Sequence, residues 1–73
     1  MAFTGKEQME TKLQQAQNEL DGLIMHLNYL TNRYDNANST GEQRFLKIAL
    51  DEVKRSIAET SQEINGMEYA VNA

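Results

Sequence analysis

One histidine, His26, and no cysteine set the limits on what this chain of 73 residues can do chemically. Without a thiol, a nucleophilic site has to combine His26 with a Ser or Thr hydroxyl and a carboxylate that orients the imidazole, and a metal site lacks thiolate ligands. Asp51 is the carboxylate to weigh, because an antiparallel pair of helices brings it level with His26. In the heptad phase derived below, however, Asp51 falls at b and leans away from the seam. The two residues therefore read as independent surface groups rather than a dyad whose geometry is held by packing. Asp35, Asn36 and Asn38 have the side chains of calcium ligands, but the segment is too short for an EF-hand loop and lacks a terminal bidentate Glu in register. The sequence also has no glycine-rich phosphate loop and no HExxH pair. The chain is expected not to be an enzyme and to hold no metal and no cofactor.

Composition points the same way. The chain is 40% hydrophobic and 25% charged, with seven Lys and Arg against eleven Asp and Glu, a net charge of -4, and no Trp or Pro. A protein that draws its affinity from phosphates needs clustered bases, so the charge argues against nucleic acid and none is expected as a partner. One domain is the most this length allows, and a chain this small buries only about 60% of the surface its unfolded form exposes. Small domains make up the difference with disulfides, metals or association, and with no cysteine, association remains. No apolar run approaches the roughly 18 to 20 residues of a membrane span: Leu20 to Leu30 is interrupted by Asp21, Gly22, His26 and Asn28. Met1 to Gln8 lack the basic start and apolar stretch of a secretory signal, so the expected location is cytoplasmic, without membrane insertion.

The elements that carry these residues follow from a seven-residue repeat. Leu13, Leu20, Leu27 and Tyr34 occupy one position, a, and Met9, Ala16, Leu23, Leu30 and Ala37 the position d. A second seam places Leu50, Ile57, Ile64 and Val71 at a, with Leu46, Val53, Thr60 and Met67 at d. Thr4-Gly5-Lys6-Glu7 has capping-box spacing, and so do Ser39 and Glu42. Between them Asn36-Ala37-Asn38-Ser39-Thr40-Gly41 gathers turn-forming residues. The pattern predicts a single domain over 1–73: helix one about 5–35, a turn over 36–41 and helix two about 42–69. Asn65-Gly66 signals a C-cap, although Met67 and Val71 keep the heptad phase beyond it.

The seams close on one another. Leu13 with Ile64, Leu20 with Ile57 and Leu27 with Leu50 have residue numbers that add to 77, and Leu23 with Val53 and Leu30 with Leu46 add to 76, as an antiparallel hairpin centred near 38.5 requires. The expected fold is all-α, an antiparallel two-helix hairpin of coiled-coil type completed by oligomerisation or by a partner. Its expected core is Leu13, Leu20, Leu23, Leu27, Leu30, Leu46, Leu50, Val53, Ile57 and Ile64.

Two helices cannot cover both sides of their own seam, so the apolar residues left outside a and d are informative. Ile24 falls at e, Met25 at f and Tyr29 at c of helix one; Phe45 falls at c and Ile48 at f of helix two. All five lie in the half nearest the turn. Scattered surface hydrophobes are ordinary, but a group confined to one half marks an interface, and these five are the expected partner contacts. Charge is uneven too: residues 33–55 sum to +1 and the rest to -5, which either steers the chain toward a basic surface or keeps a small apolar protein in solution. Asp51 and Arg55 have the spacing of a favourable i,i+4 pair.

These features resemble the small co-chaperones of type III secretion needle subunits (the YscE, PscE, SsaE and EscE group). The likeness is carried over residues 7–65 by the size, the hairpin, the Leu-rich stretch from Glu19-Leu20-Asp21-Gly22-Leu23-Ile24 to Leu30, the Asn- and Gly-containing tip, and the opening Gly41-Glu42-Gln43-Arg44-Phe45-Leu46. The resemblance implies a cytoplasmic protein that pairs with a helical-repeat chaperone and with it keeps an aggregation-prone needle subunit soluble before export. It assigns no binding residue. Two readings stand beside it: a self-assembling structural protein, such as a homodimeric four-helix bundle, and a phage-type inhibitor that mimics an acidic surface.

Overall fold

The structure is a computed structural model and describes residues 5–72. Two α-helices make up nearly all of it: α1, Gly5–Asp35, and α2, Thr40–Asn72. At 1.5 Å per residue they are about 46 and 50 Å long. The four residues between them allow only a reversal, so the helices lie side by side and antiparallel, in a body of 57 × 19 × 14 Å. The all-α hairpin expected from the heptads is the fold observed.

At the turn, orphaned backbone groups find local partners. The Asn36 N–H donates to the Asn32 carbonyl at 3.2 Å, and the Asn36 side-chain amide donates to the same carbonyl at 2.8 Å and to Asn32 Oδ1 at 3.1 Å. Ala37 N–H closes a tighter bond to the Tyr34 carbonyl at 3.2 Å. α2 then opens on Ser39, whose Oγ accepts from the Glu42 N–H at 3.1 Å while its carbonyl accepts from the Gln43 N–H at 3.1 Å. None of the described residues has a positive φ, so the chain reverses without a left-handed glycine.

Two boundaries differ from expectation. α2 begins at Thr40 rather than about 42, and the turn is correspondingly shorter. The cap itself explains this: with Ser39 as N-cap and Glu42 as the third helical residue, Thr40 and Gly41 must already be helical. At the other end α2 continues to Asn72, past the expected Tyr69. Gly66 stays in the helical region, and the seam residues Met67 and Val71 remain half-buried beyond it, so packing overrides a local stop signal. The capping box proposed for α1 includes Thr4, which lies outside the described residues.

The seam is most closed beside the turn. Leu30, Leu46, Leu50 and Val53 form a buried cluster, with Leu27, Tyr34, Ala37, Ala49 and Ile57 packed against it. Farther along, Ala16, Thr60 and Ile64 are buried. Thr60 is buried as a residue, yet its hydroxyl forms no hydrogen bond within the hairpin and is not sealed off, since no fully buried side-chain nitrogen or oxygen among the described residues lacks a partner; it stays in reach of solvent. Of the expected core, Leu30, Leu46, Leu50, Val53 and Ile64 are buried, whereas Leu13, Leu20, Leu23, Leu27 and Ile57 are only half-buried. Two cylinders in contact leave one flank of most seam residues in solvent.

The cost of this shape is visible in area. The chain exposes 5729 Å², where a compact monomer of 8.3 kDa exposes about 4,600 Å². Its radius of gyration is 16.7 Å, against about 11 Å for a compact domain of this length.

Leu50→Ala is expected to lower stability by about 2 to 4 kcal/mol, the usual range for a leucine deleted from a core. Gly66→Ala is expected to raise it by about 0.5 to 1 kcal/mol, because a Cβ there meets no atom within 4 Å. Denaturant unfolding followed by circular dichroism reads both. A destabilised Gly66→Ala chain would show that the glycine serves something other than the helix.

Candidate partner-binding surface

The five apolar residues placed outside the seam are exposed: Ile24 by 41%, Tyr29 by 56%, Phe45 by 72%, and Met25 and Ile48 to a similar degree. They do not form one patch. An ion pair shows which rims share a side, because Arg33 Nη2 of α1 stands 3.5 Å from Glu42 Oε1 of α2, and both are g positions. The two g rims therefore lie on one broad side of the hairpin and the two e rims on the other.

Tyr29 belongs to the g side, since its hydroxyl accepts a hydrogen bond from Arg33 Nη1 at 2.9 Å. Phe45, at c of α2, belongs to the same side. Ile24, at e, lies on the opposite side, and the f residues Met25 and Ile48 occupy the two outer edges. Sequence phase placed all five near the turn but treated them as a group; across a body 14 Å thick, opposite sides cannot meet one flat partner.

The g side near the turn is the more organised. The Arg33 guanidinium carbon is 5.8 Å from the Tyr29 ring centre and its Nη1 is bonded to the ring's hydroxyl, so the group sits at the polar end of the ring rather than stacked on its face. The Tyr29 hydroxyl, by hydrogen bond and then by charge, and Glu42 behind it hold the Arg33 guanidinium above its ordinary pKa. The His26 ring lies beside Tyr29, 6.5 Å between centres and tilted by 50°. His26 makes this ring contact and no hydrogen bond or ion pair to Asp51, and Asp51 and Arg55 do not come within ion-pair distance.

One exposed aromatic was not singled out by the sequence reading. Tyr69 is 80% exposed and, with Val71 at a, falls at f of α2; treating it as the frayed end of the helix hid that position. It lines a shallow depression with Asn65, Glu68 and Asn72, and another is lined by Gln8, Thr11, Lys12 and Gln15. Each is formed by one helix alone, so both are furrows between successive turns rather than cavities between elements.

No helix among the described residues is long and apolar enough to cross a membrane. Comparison of the chain with protein-family models, with curated proteins and with solved structures finds no match.

Ser39→Ala removes the acceptor of the Glu42 N–H and is expected to cost about 1 kcal/mol. Arg33→Gln is expected to leave the thermal midpoint unchanged, since exposed ion pairs contribute little. Melting curves of the two variants check this, and equal losses would show that the ion pair, not the cap, holds the turn.

Proposed function

We propose that this chain acts by binding protein, through the g side of its turn-proximal half, as a co-chaperone. The observation that carries the reading is the pair of exposed aromatic residues, Tyr29 and Phe45, on one side of the most tightly packed part of the hairpin. Large aromatics held on a rigid base make effective interface anchors, because little side-chain freedom is lost when a partner covers them. Ile48 at the adjoining edge extends the apolar area, and the Arg33–Glu42 pair gives it a polar border.

The resemblance to needle-subunit co-chaperones supplies the kind of partner. A helical-repeat chaperone offers concave grooves between helices, into which the edge of a slender hairpin fits, and the two together would shield a needle subunit in the cytoplasm until export. The acidic half away from the turn, at -5, keeps such a complex in solution.

Co-expression of the tagged chain with the helical-repeat chaperone and needle subunit of the same source tests the reading. The expected result is a soluble complex of three different chains, lost with Phe45→Asp while far-UV circular dichroism stays helical. Binding that is indifferent to Phe45→Asp would remove the assigned surface. Failure to recover either partner with the unmodified chain would remove the co-chaperone role.

A further inference from the structure

The e side of the hairpin is built differently from the g side. The apolar a residues of α1, Leu13, Leu20, Leu27 and Tyr34, are all only half-buried, and Ile24 next to them is 41% exposed. In the a row of α2 Leu50 and Ile64 are buried, but Ile57 between them, level with Leu20 in the antiparallel register, is half-buried as well. From Leu13 to Leu27 the row is about 21 Å long at 1.5 Å per residue.

The rims that border this row carry opposite charge. The b and e positions of α1 include Glu10, Asp21 and Asp35 and no base, whereas those of α2 include Arg44, Lys47 and Lys54, with Asp51 and Glu68. Asp21, Asp35, Arg44, Lys47 and Lys54 form no ion pair within the hairpin.

We propose that the e side is covered by a second copy of this chain, in a two-fold dimer whose axis runs parallel to the length of the hairpin. This axis lays α1 of each copy over α2 of the other with both turns at one end, so from the middle of the hairpin to the turn Asp21 and Asp35 meet the rim of Lys54, Lys47 and Arg44 twice, while Glu10 falls level with Glu68 near the free ends. Lys54 of one copy comes level with Ile24 and Asp21 of the second: its stem covers the isoleucine and its ammonium reaches the carboxylate. A two-fold axis across the hairpin is disfavoured, because it stacks α1 on α1 and brings Asp21 against Asp21 and Lys54 against Lys54 near the middle. The side also has sufficient area. Extents of 57 by 19 Å give a footprint on the order of 1,000 Å² per copy, against the ~800 Å² per partner of a standard stable interface. The g side, with Tyr29 and Phe45, stays open in this dimer, so the inference does not rest on the proposed function.

Light scattering over a roughly hundredfold concentration range is expected to give twice the 8.3 kDa of the chain. Asp21→Lys and Lys54→Asp are each expected to weaken the dimer about tenfold or more, and the double variant to regain it, while circular dichroism stays helical throughout. Carbodiimide coupling of a mixture of ¹⁴N- and ¹⁵N-labelled chains is expected to join Asp21 of one label to Lys54 of the other. Phe45→Asp is expected to leave the dimer intact, which separates this outcome from loss of partner binding. A monomer at every concentration, a dimer unaffected by either single swap, a double variant that does not recover, or Asp21–Lys54 coupling confined to one label would each overturn the proposal.

Discussion

Leu30 packed against Leu46, Leu50 and Val53 is the contact on which the rest of this structure depends. Most of the stability of a helix in a protein comes from packing its apolar face rather than from the one backbone hydrogen bond gained per residue fixed. The turn alone, with its cap on Ser39 and the Asn36 amide on Asn32, satisfies orphaned backbone groups but brings no apolar surface together. Closing four residues of chain makes the first layer inexpensive in loop entropy, and that layer then aligns the heptads beyond it. The buried cluster is accordingly found where the loop is shortest, and the exposed aromatics Tyr29 and Phe45 stand on its outer surface.

How much of this was legible in the sequence depended on how local or how redundant each signal was. Seven-residue spacing repeated through Leu13, Leu20 and Leu27 and through Leu50, Ile57 and Ile64 was enough for two helices, their antiparallel order and their facing stripes. The Ser39–Glu42 spacing places the start of α2 at Thr40, as observed, and the bound of about 42 only reflects the turn-forming run that overlaps the cap. Gly66 shows the converse: a local stop signal loses when Met67 and Val71 still have a seam to join. For the exposed residues, heptad position predicted exposure and height but not which broad side each one faces. That needed a contact between the helices, and the Arg33–Glu42 pair supplied it.

The distribution of burial also separates what a heptad says from what two helices can do. A sequence pattern assigns a and d equal status, yet three of the four d residues of α2, Leu46, Val53 and Thr60, are buried and Met67 is half-buried, while of the a residues Leu50 and Ile64 of α2 are buried and those of α1 all keep solvent contact. Two helices share one line of closest approach, and the seam leans to one side of it. Leucines on the other side keep their apolar area available, beside charged rims that limit nonspecific association. A third or fourth helix would close such a seam, which is why free-standing bundles have at least that many and why a long two-helix chain of this composition points toward association.

Position along the hairpin matters as much as side. Beside the turn the seam is filled by large aliphatic residues, whereas farther out Ile64 is the one large aliphatic buried among the described residues, Ala16 and Thr60 are small, and Leu13, Met9, Met67 and Val71 are half-buried. Fewer apolar atoms hold each turn of helix there, and seven acidic residues against two basic ones add repulsion over the segments outside 33–55. Both effects make the two free ends the least firmly held part of the fold. The surface formed by Tyr29 and Phe45 therefore rests on the most firmly held part of the hairpin, and the binding proposed for it would not require the whole length of the chain to be rigid.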